Sequence, residues 1–223
     1  MSVLVFSDAQ TTATAAATLV AAQIIQKPGT VLGLDGTKSL QPVYKSLKAM
    51  TANGLLNWRK ATLVQLTELV RDDGSQPIRG HMDEALYGGL SLGEGQLLIP
   101  YGAPGKWAEC CRRFENDILD RGGMDMLLTT VRPDGSLLFN GTQEDMAPIT
   151  HVEMWEGEKT ITAGLSTLMA ARQLVVVMTG AEMAEAAREA IQGTVSTRVP
   201  ASLLQLHGSA VFLLDEAAAA LLV

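Results

Sequence analysis

Three short polar clusters each follow an apolar run, and each carries residue types suited to an anionic or polyhydroxy ligand. The first is Asp35-Gly36-Thr37-Lys38-Ser39. Backbone N–H groups around Gly36, the hydroxyls of Thr37 and Ser39 and the Lys38 ammonium suit a phosphate at a helix start. The competing reading is an ordinary turn with Ser39 as the helix N-cap. The second cluster is Thr67-Glu68. Glu68 is the candidate general base and Thr67 a candidate ligand contact, because a threonine hydroxyl is no base near pH 7. The competing reading of Glu68 is a solvated loop acid. The third is Arg132-Pro133-Asp134-Gly135-Ser136. Pro-Asp-Gly marks a tight turn. Asp134 is placed to orient a substrate hydroxyl, with Gly135 and Ser136 beside it, although aspartate before glycine is also a common turn residue. Ser136 has no His/Asp relay in sequence and is discounted as a nucleophile.

Other reactive residue types read as structural. His207 lies beside a buried strand, the usual place of a packed histidine, while His81 and His151 fall in polar stretches and read as surface residues. Arg172 follows an apolar helix and suits its C-terminal dipole. Met169, Met178 and Met183 read as packing residues. Glu182, Glu185 and Glu189 are spaced as a solvated helix face.

Elements that position these clusters follow from the hydrophobic pattern. Val3–Phe6, Thr30–Leu34, Ala61–Leu66, Leu97–Ile99, Met124–Leu128, Leu174–Met178 and Ala210–Leu214 are short apolar runs of strand length. Between them lie predicted helices: Asp8 capping a helix to about Gln26, Leu40–Met50, Met82–Tyr87, Trp107–Leu119, Thr160–Arg172, Gly180–Ile191, Pro200–Leu206, and one capped by Asp215. Glu144–Lys159 reads as irregular. The strands are continuous rather than alternating in hydrophobicity, so both faces should be covered. The expected fold is α/β: a Rossmann-like, doubly wound, mostly parallel sheet with helices on both faces. Loops Asp35–Ser39, Thr67–Asp72 and Thr130–Asp145 would then converge on one edge, the predicted site.

The 223 residues, 47% of them hydrophobic, suit one domain spanning 1–223. A net charge of −7 argues against a nucleic-acid partner. No apolar run reaches membrane-spanning length, and the first residues do not read as a secretion signal. Cys110 and Cys111 are adjacent and have no other cysteine to pair with, which fits a reducing cytoplasm and offers no metal site. No cofactor is expected.

Five segments in order carry a family resemblance: VLGLDGTKSLQPVYKSL at 31–47, NWRKATLVQLTELV at 57–70, RGGMDMLLTTVRPDGSLLFN at 121–140, TITAGLSTLMAARQLVVVMTGAEMAEA at 160–186 and VPASLLQLH at 199–207. They resemble the glucosamine-6-phosphate deaminase and isomerase family, which shares its fold with 6-phosphogluconolactonase. The tail is most similar to the galactosamine-6-phosphate isomerase branch. The resemblance implies an acyclic sugar-phosphate ligand and a homo-oligomer. It also implies a carboxylate that moves a proton between C1 and C2 while ammonia leaves, and a histidine that helps open the ring.

Carried over residue by residue, several implied positions differ here. The family's Asp-Glu pair is Thr67-Glu68, and its Asp-Gly-His motif is Asp134-Gly135-Ser136. The acidic residue after Phe-Asn is Gly141, with Glu144 and Asp145 following. The phosphate-binding lysine falls at Met183, and Gly-Ser-Thr in the first phosphate loop is Thr37-Lys38-Ser39. The stretch from Asn140 to Thr160 is shorter, and the arginine it carries in the deaminases has no clear equivalent. Three functions follow as expectations: a hexosamine-6-phosphate deaminase or isomerase, a non-catalytic sugar-phosphate binder, and a lactonase-like hydrolase, towards which Trp58 and the short chain lean.

Overall fold

A computed structural model describes residues 1–71, 73–102, 105–141 and 146–223. The Asp72 end of the second loop, and Glu144 and Asp145 in the third, lie outside the described residues.

The chain opens with β1 (Ser2–Phe6) and α1 (Ala9–Gln26). Asp8 caps α1 as its sequence suggests, its carboxylate accepting from Thr11 N at 2.8 Å. Ala16, Val20 and Ile24 of the expected stripe are buried. Next come β2 (Val31–Leu34), a 3-10 turn at Lys38–Leu40, and α2 (Gln41–Ala52) with Pro42 in its first turn. β3 (Thr62–Gln65) is followed at once by β4 (Thr67–Leu69), then α3 (Pro77–Ala85), β5 (Leu97–Leu98), α4 (Trp107–Asp120) and β6 (Met126–Thr129). A hairpin, β7 (His151–Trp155) and β8 (Glu158–Thr162), leads to α5 (Leu165–Met169). The chain closes with β9 (Gln173–Met178), α6 (Ala184–Gln192), a 3-10 helix at Pro200–Leu206 and β10 (Ala210–Asp215).

Seven strands form one sheet in the order β1-β10-β9-β6-β2-β3-β5, parallel at every pairing. Successive residues of β6 point to opposite faces. Met126 and Leu128 join a core with α1, α2 and α3, whereas Leu127 joins the core of α4 and α6 on the other side. This is the expected doubly wound α/β architecture. From β2 the chain moves outward through β3 to β5, then returns to place β6 on the other flank of β2. The loops after β2 and β6 therefore diverge, opening the crevice in which such folds hold ligands.

Six expectations need correction. Thr67-Glu68 does not end the third strand but starts β4, which pairs antiparallel with β8 in a separate three-stranded sheet. The stretch expected to be irregular contains the β7–β8 hairpin. Its two-residue turn, Glu156-Gly157, has φ of 49° and 82°. Primed turns usually advertise themselves with Asn-Gly or Asp-Gly, and a glutamate at the first position hides the signal. The helix expected over Thr160–Arg172 shrinks to α5, because β-branched Thr160, Ile161 and Thr162 complete β8. The helix expected at Met82–Tyr87 starts five residues earlier, at Pro77. After Asp215 the chain forms turns rather than an α-helix, although Asp215 Oδ1 does accept from Ala218 N at 2.8 Å. The sheet is also not fully covered: Leu4 and Val5 on edge strand β1 are exposed.

Candidate functional site

The crevice between β2 and β6 is tied together by one carboxylate. Asp35, at the end of β2, is 1% exposed. Its Oδ1 accepts from Thr37 N at 2.9 Å and from Thr37 Oγ1 at 2.5 Å, turning the first loop back on itself. Its Oδ2 accepts from Thr129 Oγ1 at 2.9 Å and from Thr130 N at 3.4 Å, joining that loop to the end of β6. Burial pushes the Asp35 carboxyl up, against the lowering effect of these donors. Tyr44 of α2 donates to the Asp35 carbonyl from beneath.

Two adjoining clefts open above this junction. The larger, of ≈ 290 Å³, is lined by Asp35, Gly36, Thr37, Lys38 and Thr67, with Ile78, Arg132, Leu138 and Phe139 opposite. The smaller, of ≈ 220 Å³, is lined by Thr37, Ser39, Thr130, Arg132, Thr179, Glu182 and Met183 among others. All three predicted loops therefore reach one site. Gly36, Thr37, Lys38, Ser39 and Thr67 line it. Gly36 also serves the packing of α3, since a Cβ there would lie 2.4 Å from Ile78 Cγ2. Ser39 does not cap α2, whose first turn is preceded by the 3-10 turn.

The remaining predicted residues sit behind the clefts. Glu68 is fully buried and lines neither, so it is not a solvated loop acid. Its Oε1 accepts from Leu69 N at 2.8 Å and Ile78 N at 2.9 Å. Its Oε2 accepts from Gln65 Nε2 at 3.0 Å and Arg79 N at 2.9 Å. Ile78 and Arg79 are in the first turn of α3, so Glu68 caps that helix from a neighbouring strand. Asp134 is exposed at the turn tip and accepts from Ser136 N at 2.9 Å and Ser136 Oγ at 2.6 Å. Gly135 has φ 81° and packs so closely that a Cβ would meet Val199 Cγ1 at 2.8 Å. Ser136 is buried, its hydroxyl committed to Asp134.

Arg132 lines both clefts and was read from the sequence only as part of a turn. Its Nε donates to Leu138 O at 2.8 Å. Its guanidinium lies 5.0 Å from the Phe139 ring centroid and 4.7 Å from that of Trp155 on β7. The available signal was a cation in the loop between two apolar runs, one of the three loops expected to converge on the site. Trp155 carried no such signal, because it arrives from a hairpin the sequence did not announce.

The histidines stand away from the crevice. His207 Nε2 lies 2.8 Å from Ala171 O, and Ser209 N donates to its Nδ1 at 3.2 Å, the packed role expected. His81 on α3 and His151 on β7 are half-buried rather than surface residues.

A parallel sheet with helices on both faces and a polar crevice at its switch point defines a doubly wound α/β protein. The chain belongs to the glucosamine-6-phosphate isomerases/6-phosphogluconolactonase family, whose pattern matches residues 7–213. It is 30% identical over 241 residues to a glucosamine-6-phosphate deaminase of Halothermothrix orenii, covering 100% of both chains. A glucosamine-6-phosphate deaminase of Cellvibrio japonicus is 29% identical over 238 residues, covering 98% of this chain and 90% of that one. Among solved structures, one described as a monomeric glucosamine-6-phosphate deaminase superposes with a TM-score of 0.91 at 25% identity, covering 99% and 100% of the two chains. A 6-phosphogluconolactonase from Trypanosoma brucei shares the fold, with a TM-score of 0.79 at 17% identity over 100% and 98% of the chains.

Proposed function

We propose that the crevice binds a hexosamine 6-phosphate and that the chain's activity is hexosamine-6-phosphate deamination with aldose–ketose isomerisation. The observation that carries this is the meeting of Gly36, Thr37, Lys38, Ser39 and Thr67 in one site at the switch point of the sheet. Hydroxyls of both clefts, with Lys38 in the larger and Arg132 in both, supply donors to the oxygens of a phosphorylated sugar, and the larger cleft has room for an extended sugar chain. The deaminase relatives, matched along nearly their whole length, support the same reading. The two free, buried cysteines support a cytoplasmic location. Among the described residues no helix is long and apolar enough to cross a membrane. Exposed Leu4 and Val5 on β1, with Val152 and Met154 on β7, support a homo-oligomer.

Three observations favour a second reading, binding without turnover. Both Glu68 oxygens are occupied by four donors, Thr67 stands where the resemblance implies the proton-transferring carboxylate, and Ser136 stands where it implies histidine. Proton transfer by Glu68 would require release of the α3 N-terminus, and Asp134 would first have to part from Ser136. Ammonia release from glucosamine 6-phosphate and galactosamine 6-phosphate, followed at high protein concentration beside calorimetric titration, separates the readings. Ammonia above the buffer rate supports the deaminase. Binding heat without ammonia supports the non-catalytic binder. Absence of both overturns the sugar-phosphate assignment.

A further inference from the structure

We propose that Arg132 is the cation that holds the ligand's phosphate, and that the phosphate sits in the smaller cleft while the sugar extends into the larger. The inference rests on the sugar-phosphate reading and adds its anchoring residue and its direction. Among the described residues, Arg132 is the one cationic residue that lines both clefts. Around the smaller cleft stand the hydroxyl residues Thr37, Ser39, Thr130 and Thr179. Position 183, where the resemblance implies a phosphate-binding lysine, is Met183, buried in the same cleft wall. Apart from Arg132, no lysine or arginine lines that cleft among the described residues.

Arg132 is also pre-organised. Nε is fixed on Leu138 O, and the plane is held against Phe139 and Trp155. Cation–π contact holds the group in place without neutralising it. The terminal guanidinium nitrogens make no hydrogen bond or ion pair among the described residues. A planar fork with free terminal donors is the geometry that grips two phosphate oxygens at once. Among the described residues, the one carboxylate lining the smaller cleft, Glu182, is folded back over its own loop: a Cβ on Gly180 would lie 2.5 Å from Glu182 Oε2.

The test is titration of Arg132→Gln, Arg132→Lys and wild type with inorganic phosphate and with glucosamine 6-phosphate, by calorimetry and by tryptophan fluorescence, since Trp155 touches the guanidinium. Loss of the charged fork is expected to weaken both ligands about tenfold or more, with lysine intermediate. Because Arg132 also packs on aromatics, Met183→Lys is added to Arg132→Gln. A cation restored across the cleft should recover phosphate affinity, which a purely structural arginine would not allow. Glucosamine 6-phosphate binding equally to wild type and Arg132→Gln overturns the inference and leaves the functional reading standing. Arginine-dependent binding of inorganic phosphate without binding of the sugar phosphate supports the anion site and overturns the functional reading. Failure of wild type to bind either overturns both.

Discussion

Asp125 shows what a single side chain holds together at the N-terminal edge of the sheet. Lys27 Nζ lies 2.8 Å from both of its oxygens, Arg172 Nη1 2.6 Å from Oδ1, and Val31 N donates to Oδ2 at 2.9 Å. Arg172, expected to answer a helix dipole, therefore joins the end of α5 to the start of β6. Burial pushes the Asp125 carboxyl up, but the Lys27 and Val31 donors and the two cations outweigh it and leave it below the ordinary 3.8. A carboxyl depressed by folding stabilises the native state above its unfolded value, and that contribution is lost as pH falls through the folded one. Asp125→Asn is expected to cost about 1–3 kcal/mol at pH 7. The gap to wild type should narrow as pH drops below about 4, read by urea unfolding at several pH values. An unchanged gap at acid pH would show that packing, not charge, is responsible.

At the scale of elements, α3 depends on a residue outside itself. A helix leaves its first N–H groups without partners, and Pro77 removes one of them. Two of the rest, on Ile78 and Arg79, are taken by Glu68 from β4. A buried carboxylate there also meets the positive end of the helix dipole. Glu68→Gln turns an acceptor into a donor facing N–H groups, so a loss of about 2–3 kcal/mol is expected. Amide exchange should speed up first across residues 77–80. A variant as stable as wild type would mean the carboxylate is not needed as a cap. Most other elements were readable because their signals are local: Asp8 caps its own helix, and the central strands are unbroken apolar runs. The β7–β8 hairpin and the true start of α3 were not, since one turns on an atypical glutamate and the other is capped by a side chain from the preceding strand rather than by its own N-cap residue.

For the whole molecule, the open question of assembly falls on the sheet edges. β1 ends the seven-stranded sheet with Leu4 46% and Val5 50% exposed, and β7 ends the small sheet with Met154 58% exposed. Unprotected apolar edges invite pairing. Sedimentation of the 23.7 kDa chain is expected to give a multiple of that mass. Leu4→Glu with Met154→Glu should shift it towards the single chain. A lone 23.7 kDa species at about 100 μM, as for the relative described as monomeric, would overturn the homo-oligomer.

The order of apolar runs and turn residues, by itself, determined the layered α/β plan and brought the loops at 35–39, 67 and 132 to one edge, because both follow from local periodicity and the handedness of parallel crossovers. It also supplied the family's motif order. Only the tertiary structure decided what each polar group is doing there. Glu68 caps α3, Ser136 is locked to Asp134, and Arg132 lines both clefts with its guanidinium against a tryptophan from a different sheet. Whether a carboxylate is a cap or a free base depends on which donors surround it, and for Glu68 the path of the chain from β4 into α3 brings them there, which no local pattern announces.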